Sequence, residues 1–251
     1  MTVTYDDPAT IAALVADLTT PVLLGFDVDG VLAPIVRHSD ESRLLDGVNA
    51  LLARLATGDR WRVAVVSGRS LGDLDRFRFP PEVSIVGSHG METVDTAFEL
   101  TPAERVRLDR LAELAHIAVD VAGPGAWAET KPASIAVHIR EADDDDGGRA
   151  LEQLSNHVAD VAGATTIVGL EVLELFARTA GKGEALRSLR DRLPVASVVF
   201  VGDDVTDEHA FAALGPDDVG IKVGDAATIA AHRLHDPEAV LSWLEALRDV
   251  T

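Results

Sequence analysis

Short apolar runs that end directly in acidic residues constrain the fold of this chain more than any other feature. The first run, residues 21–26, is followed at once by Asp27, Asp29 and Gly30. An uninterrupted apolar run of this length is typical of a strand buried on both faces of a parallel sheet. In such sheets, ligands bind outside the carboxyl ends of the strands. The sequence therefore predicts an α/β fold with its chemistry at that edge.

Alternating strands and helices support this fold on both sides of a different central region. Strands are predicted near residues 21–26, 62–66, 83–86, 197–201 and 219–223, and helices near residues 42–56, 70–77, 182–192, 207–213 and 237–249. This order is typical of βα units that build a parallel sheet.

The residues between about 95 and 178 follow another pattern. Here the sequence predicts two helices and several strands, with helices near 102–116 and 147–161 and strands within 126–139, 165–168 and 171–176. We therefore expect a core domain of residues 1–94 and 179–251. Residues 95–178 are expected to form an inserted α+β domain over the active site.

Asp27 and Asp29 are two residues apart, so their side chains point to the same side of the chain. Asp27 can attack a phosphorus centre as a carboxylate nucleophile. Asp29 can give a proton to the leaving oxygen and later take one from water. The alternative is an ordinary turn that uses Asp and Gly to end the strand.

Two other segments offer groups that bind phosphate. The Ser67 hydroxyl and the N–H groups that follow it, beginning with Gly68, stand where a helix starts after a strand. Lys182 opens another predicted helix and can reach a phosphate as a compact positive charge. Each feature alone also has a structural explanation, because Ser-Gly turns and solvated lysines are common.

A second acidic cluster follows the strand near residues 197–201. Asp203, Asp204 and Asp207 lie within five residues of one another. Carboxylates at this spacing repel one another unless a cation lies among them. The cluster therefore predicts a metal site.

Together these segments resemble the haloacid dehalogenase superfamily of phosphohydrolases and, more narrowly, its trehalose-6-phosphate phosphatase family. The resemblance spans residues from about 21 to 211. Its landmarks are Asp27–Ile35, Ser67–Arg69, Gly87–Glu92, Glu129–Ser134, His138–Arg140, Lys182–Gly183 and Gly202–Glu208.

The resemblance implies a Rossmann-like core with an inserted α+β cap domain, and a Mg²⁺-dependent phosphatase that forms an aspartyl-phosphate on Asp27. Mg²⁺ is expected on Asp27, on the backbone carbonyl of Asp29, on Asp203, and on Asp204 directly or through water. Asp207 is expected to orient these ligands. Ser67, Gly68 and Lys182 are expected to bind the phosphate.

Substrate contacts are also implied by the resemblance. The expected substrate-binding residues are Arg69, His89, Glu129, Lys131, Ser134 and Glu174. A hydrogen-bonded structural role is the alternative for His89, and a solvated strand face is the alternative for the acidic and basic residues among them. Phe176 and Ala177 stand where the family usually has arginine and proline. This departure affects the predicted recognition of the sugar and leaves the predicted phosphatase chemistry unchanged.

Rival functions remain open at this stage. Sucrose-phosphate or mannosylglycerate-phosphate phosphatases would share the core and differ in the cap, and a non-catalytic sugar-phosphate sensor would keep the same residues. A phospho-acceptor signalling domain also uses an aspartate nucleophile and a lysine. It needs only about 120 residues, and the inserted segment and the late acids Asp203 and Asp204 argue against it.

Composition narrows the partners and the compartment. A net charge of −20 disfavours nucleic acid and anionic membranes. The absence of cysteine fits a reducing compartment, and neither a signal peptide nor a spanning apolar run is evident. We therefore expect a cytoplasmic monomer that binds a small sugar phosphate, with a trehalose-phosphate synthase as a possible partner.

The acidic run 143–146 is expected to begin a helix rather than bind metal.

Overall fold

The computed structural model describes residues 3–94, 100–132, 134–178 and 181–249. Within these ranges the strands are β1 (Val22–Phe26), β2 (Trp61–Val66), β3 (Ser84–Gly87), β4 (Glu92–Thr93), β5 (Trp127–Thr130), β6 (Ser134–His138), β7 (Thr165–Gly169), β8 (Val172–Phe176), β9 (Ser197–Gly202), β10 (Val219–Val223) and β11 (His232–Leu234). The helices are α1 (Pro8–Ala16), α2 (Val48–Ala56), α3 (Leu71–Leu74), α4 (Pro102–Ala122), α5 (Asp144–Ala159), α6 (Lys182–Arg192), α7 (Val205–Phe211) and α8 (Pro237–Asp249).

The described residues fall into two compact units. The first contains those up to residue 94 and from residue 181 onward, and the second contains those from residue 100 to residue 178. The expected domain boundaries, after residues 94 and 178, border segments 95–99 and 179–180. These two segments lie outside the described residues, so the boundaries stay a prediction.

The first unit is built on a seven-stranded sheet in the order β11-β10-β9-β1-β2-β3-β4. Strand β1 lies near the middle and pairs in parallel with β2 and β9. Among the described strands of this sheet, only β4 is antiparallel to its neighbour. The predicted α/β fold with a parallel sheet is therefore confirmed.

Both faces of this sheet are covered by helices. Val22, Leu24 and Phe26 of β1 pack with side chains of α1, α2 and α8, whereas Leu23 packs on the other face with α6 and α7. Phe26 is fully buried against Trp243, with ring centroids 5.9 Å apart. Burying a side chain of this size contributes about 1.5–3 kcal/mol. This two-sided burial explains why β1 is an uninterrupted apolar run.

Several boundaries differ from those expected. Helix α2 begins at Val48 rather than near residue 42, because Gly47 adopts a left-handed conformation (φ 93°) that starts the helix there. The helix expected over residues 70–77 is the single turn of α3 followed by a 3₁₀ turn. Strands β4 and β11 were not expected, because two or three residues are too few to form a recognisable pattern.

The second unit is a four-stranded antiparallel sheet in the order β5-β6-β8-β7 with two helices. Helices α4 and α5 pack on one face of this sheet. Their shared core consists of Leu111, Leu114, Ala115, Ala118, Ile135, Val137, Leu154, Val158, Leu173, Leu175 and Ala177. Asp143 caps the N-terminus of α5 by accepting from the N–H groups of Asp145 and Asp146, so the acidic run begins a helix as expected. No described helix combines the length and apolarity needed to cross a membrane.

Candidate active site

Three predicted site residues of the first unit directly follow neighbouring parallel strands, at the same edge of the sheet. Asp27 follows β1, Ser67 follows β2 and Asp203 follows β9. Backbone hydrogen bonds extend the ladder by one step, from Asp27 N–H to the Val201 carbonyl (3.0 Å) and from Ser67 N–H to the Val86 carbonyl (2.9 Å). The sheet itself therefore fixes where these side chains begin.

Lys182 joins two buried carboxylates at this edge. Its Nζ lies 2.5 Å from Asp27 Oδ2 and 2.7 Å from Asp207 Oδ1, and all three residues are buried. Burial opposes the charge of Lys182, but Asp207 and Asp27 more than offset this and raise its pKa. The side chain is therefore an ammonium that holds Asp27 in place. The second oxygen of Asp27 accepts from Val28 N–H at 2.7 Å.

Carboxylates crowd together beside this lysine. Asp27, Asp203 and Asp207 each offer a carboxylate oxygen within 4.8 Å of the others. Burial raises the pKa of Asp203 to about 8, and the charges of Asp27 and Asp207 add to the rise. Burial likewise raises the pKa of Asp27 to about 6, although Lys182 opposes the rise. A divalent cation would offset this repulsion, and an all-oxygen ligand set fits a hard ion such as Mg²⁺.

Asp207 and Asp204 have their own backbone partners. Asp207 Oδ2 accepts from the N–H groups of Asp203 (2.9 Å) and Asp204 (3.0 Å), so both oxygens of this carboxylate are engaged. A Cβ on Gly202 would lie 2.3 Å from Asp207 Cγ, so this arrangement needs glycine there. Asp204 Oδ1 accepts from Val205 N–H at 2.6 Å and caps α7. Its predicted role at the metal stays a prediction.

Asp29 is held by an arginine and a serine. Arg69 Nε lies 2.6 Å from Asp29 Oδ2 and Arg69 Nη2 lies 2.8 Å from Oδ1, while Ser42 Oγ donates to Oδ1 at 2.9 Å. Arg69 also bonds Asp73 and the Ser39 carbonyl. Arg69 was predicted to bind substrate, and in the structure it is hydrogen-bonded to Asp29, the predicted proton donor. Ser42 was missed, because nothing in its local sequence points to Asp29.

His89 ties the Ser67 loop to the helix that carries Lys182. The backbone N–H of His89 donates to the Ser67 carbonyl (2.9 Å), and the backbone carbonyl of His89 accepts from Gly181 N–H (2.8 Å). A Cβ on Gly68 would lie 2.6 Å from the His89 ring, so the loop and the ring are in close contact. The Ser67 hydroxyl accepts from Arg69 N–H at 3.3 Å. His89 thus connects the predicted phosphate-binding residues through its backbone.

In the second unit, three predicted residues form a cluster on the sheet face away from α4 and α5. Glu174 Oε1 accepts from Lys131 Nζ at 3.0 Å and from Ser134 Oγ at 2.6 Å. Glu129 lies in the same cross-strand row as Glu174, with Ala136 between them. Oε2 of Glu129 is 3.1 Å from Nε2 of His138. Like Ser42, His138 had no predicted role.

Phe176 and Ala177 are both fully buried. Arg178, the next residue, pairs with Glu104 of α4 at 2.7 Å. The nearest arginine is therefore engaged with its own unit.

The sequence of this chain is similar to those of known phosphatases. A family model described as trehalose-phosphatase matches residues 25–236. The trehalose-6-phosphate phosphatase of Escherichia coli (strain K12) is 32% identical over 228 residues, covering 88% of this chain and 84% of that protein. The trehalose-phosphate phosphatase of Mycobacterium marinum is 34% identical over 233 residues. This match covers 87% of this chain but only 59% of the relative.

Solved structures show the same fold. The C-terminal domain of the trehalose-6-phosphate phosphatase of C. albicans superposes with a TM-score of 0.79 at 20% sequence identity. The match covers 100% of this chain and 99% of that one. It therefore includes both units of the chain.

Proposed function

Because this chain belongs to the trehalose-phosphatase family of the haloacid dehalogenase superfamily, we propose that it hydrolyses trehalose 6-phosphate to trehalose and phosphate with Mg²⁺ as cofactor. As a member of this family the chain is a phosphatase, that is, a phosphoric monoester hydrolase. The observation that carries the proposal is the buried Asp27 carboxylate, held by Lys182 and lying beside Asp203 at the end of a central strand.

Asp27 is the nucleophile in this proposal. One of its oxygens bonds to phosphorus as the bond from phosphorus to the sugar oxygen breaks, which leaves an aspartyl-phosphate on Asp27. Water then attacks that phosphorus and releases inorganic phosphate and the free carboxylate. Lys182, Ser67 and the N–H of Gly68 neutralise charge on the phosphoryl oxygens.

Asp29 is the proton donor to the sugar oxygen and the acceptor of a proton from the attacking water. Its Oδ1 accepts hydrogen bonds from Arg69 Nη2 and Ser42 Oγ, and its Oδ2 accepts one from Arg69 Nε. One lone pair of Oδ2 therefore stays open for the proton that this proposal assigns to Asp29. Arg69 therefore acts on the reaction through Asp29 in this proposal.

Mg²⁺ would be held by Asp27, Asp203 and the backbone carbonyl of Asp29, with Asp204 contributing directly or through water. When bound, it supplies positive charge that neutralises the phosphate and lowers the repulsion between these acids. Asp207 keeps an orienting role, because its oxygens are already engaged by Lys182 and by backbone N–H groups. The donor set supports a divalent ion, and Mg²⁺ is the member of that class that we propose.

Residues 95–178 are proposed to form the inserted cap domain that recognises the sugar. Glu129, Lys131 and Glu174 would bind sugar hydroxyls, with Ser134 holding Glu174 in place. Two fully buried apolar residues, Phe176 and Ala177, replace the arginine and proline that the family usually has. We therefore expect weaker binding of the disaccharide than in relatives, or a preference for a different sugar phosphate. A synthase partner, a monomeric state and a cytoplasmic location stay predictions.

A phosphate-release screen tests the function. We expect Mg²⁺-dependent release from trehalose 6-phosphate to exceed that from sucrose 6-phosphate, mannosylglycerate phosphate and an aryl phosphate. Asp27→Asn should remove this activity, because an amide is neither a nucleophile nor an anionic ligand. The variant should still fold, since Lys182 keeps its bond to Asp207, although loss of the ion pair with Lys182 should lower the unfolding temperature. Mg²⁺-dependent turnover by folded Asp27→Asn would refute the role of Asp27. A folded wild type without turnover on any sugar phosphate would favour the sensor.

A further inference from the structure

Lysine is rare in this chain, and its three positions are informative. Of the 22 basic residues, only Lys131, Lys182 and Lys222 are lysines. Lys182 and Lys131 have roles in the proposed reaction and in sugar binding. Lys222 has none, although it is as buried as Lys182, with 1% of its surface exposed. A chain that otherwise uses arginine for positive charge thus keeps a compact ammonium at this one further buried site.

Lys222 lies on β10 directly opposite Gly202, the last residue of β9. Its Nζ donates a hydrogen bond to the backbone carbonyl of Asp203. The same Nζ is 3.7 Å from Oε1 of Glu208, whose other carboxylate oxygen accepts from Ile229 N–H. The ammonium is thus held between the acidic loop and the helix that follows it.

Stability alone is a poor explanation for this lysine. Burying an ammonium carries a large desolvation cost, and buried ion pairs are often no more stabilising than apolar side chains of similar volume. Removing one partner of such a pair exposes the cost in full. The position therefore calls for a role that an apolar side chain does not fill.

The contacts of Lys222 complete a clamp around the Asp203 backbone. On one side, Asp207 Oδ2 accepts from the N–H groups of Asp203 and Asp204. On the other side, Lys222 binds the carbonyl of Asp203. With its N–H and C=O groups both engaged, the Asp203 backbone has little freedom to rotate, which fixes the point from which its side chain extends toward Asp27.

We propose that Lys222 is a positioning residue for the metal site, which fixes the Asp203 backbone so that the Asp203 carboxylate faces Asp27. This inference rests on the proposed function, because Asp203 is assigned to the metal there. Residues that orient metal ligands typically change metal affinity or activity by 10–100-fold when they are replaced. The ammonium of Lys222 is predicted to have an effect in that range.

The first test compares Lys222→Met with Arg190→Met. Arg190 makes a two-point ion pair with the buried Asp218, which precedes β10 at the opposite end of the sheet from Asp203. Each variant removes the cation of an ion pair in which one side chain is buried, Lys222 itself or Asp218, so both should lower the unfolding temperature. Mg²⁺ affinity, measured calorimetrically without substrate, should fall at least about tenfold in Lys222→Met and stay unchanged in Arg190→Met. A folded Lys222→Met with wild-type Mg²⁺ affinity would overturn the proposal.

A chemical rescue keeps the test decisive if Lys222→Met does not fold. The chain contains no cysteine, so Lys222→Cys can be alkylated at one position in denaturant, either with 2-bromoethylamine or with propyl iodide, and then refolded beside the wild type. The two adducts have nearly the same shape and differ in the ammonium. The aminoethyl adduct should recover wild-type Mg²⁺ affinity and kcat, and the propyl adduct should not.

The outcomes separate the two proposals. Equal Mg²⁺ affinity in both adducts, or failure of both to refold while the wild type recovers, would assign Lys222 to folding and overturn the positioning role. A wild type that neither binds Mg²⁺ nor needs it for turnover would instead refute the proposed function.

Discussion

Gly30→Ala is predicted to damage the site far more than the fold. Gly30 follows the acid pair with φ at +74°, and a Cβ built there lies 2.0 Å from Asp203 Oδ2 and 2.3 Å from its Cγ. The positive φ costs an alanine roughly 1–2 kcal/mol. In a chain of this size that corresponds to a fall in the unfolding temperature of roughly 2–8 °C.

The collision with Asp203 adds a separate effect on activity. The Cβ and the carboxylate oxygen must move apart by about 1 Å to reach the shortest tolerable contact near 3.0 Å. Since the Asp203 side chain can rotate away, this costs little further stability, but it moves a proposed metal ligand. A misplacement of about 1 Å can cost about 10²-fold in rate, so we expect kcat/KM to fall about 100-fold, or about 2.7 kcal/mol.

Gly47→Ala is the matched control. Gly47 also has a positive φ (+93°), but a Cβ there meets nothing within 4 Å. The two variants should therefore lose similar stability in a thermal melt, and only Gly30→Ala should lose turnover and require more Mg²⁺ in initial-rate assays. A Gly30→Ala enzyme with wild-type kcat/KM, or a Gly47→Ala enzyme that loses as much as Gly30→Ala, would refute the reasoning.

Three further outcomes are expected. Asp203→Ala should raise the Mg²⁺ concentration needed for half-maximal rate steeply, whereas Asp145→Ala, in the first turn of α5, should leave it alone; equal effects would mean that the wrong acids are assigned to the metal. Folding raises the pKa of Asp203 from 3.8 to about 8. Between these pH values the folded protein therefore binds more protons than the unfolded chain does. The unfolding free energy of the metal-free protein should thus fall as pH rises from about 4 to 8. Calorimetry in EDTA should show a shallower fall for Asp203→Asn, and identical slopes would contradict the cause given for the shift. Lys131→Ala should lose roughly 1–3 kcal/mol of transition-state stabilisation toward trehalose 6-phosphate and almost none toward an aryl phosphate, and an equal loss on both would remove Lys131 from sugar recognition.

Local pattern was enough to predict the parallel sheet and the edge that carries the acids. Residues 21–26 are apolar because β1 is buried on both faces, and Asp27 follows because the strand ends there. Parallel pairing then brings Ser67 and Asp203 to the same edge without further information. The acidic run before α5 was interpreted correctly for the same reason, since helix capping is a local interaction.

Contacts between distant segments could not be predicted from pattern. Asp29 is bonded by Ser42 and by Arg69, which are 13 and 40 residues away, and Lys222 reaches the Asp203 carbonyl from a neighbouring strand. No periodicity or motif specifies which hydroxyl or ammonium points at which oxygen, because that depends on packing. The scarcity of lysine was the one available signal for Lys222, and it gains meaning only once its burial is known.

The strand order of the first unit has a consequence for biosynthesis. Strand β1 is flanked by β2, which follows it closely, and by β9, where Val22 lies opposite Ser197 about 175 residues later. At about 5–20 residues per second, the ribosome needs roughly 10–35 s to make that interval. Throughout this time one edge of β1 and an apolar face lack their partners, a state that favours chaperone binding and aggregation. In the second unit the described strand pairs all lie within residues 127–176, so these strands wait for their partners far less long. Slow translation before β9 should therefore lower the yield of folded protein, and faster release of the complete chain should raise it.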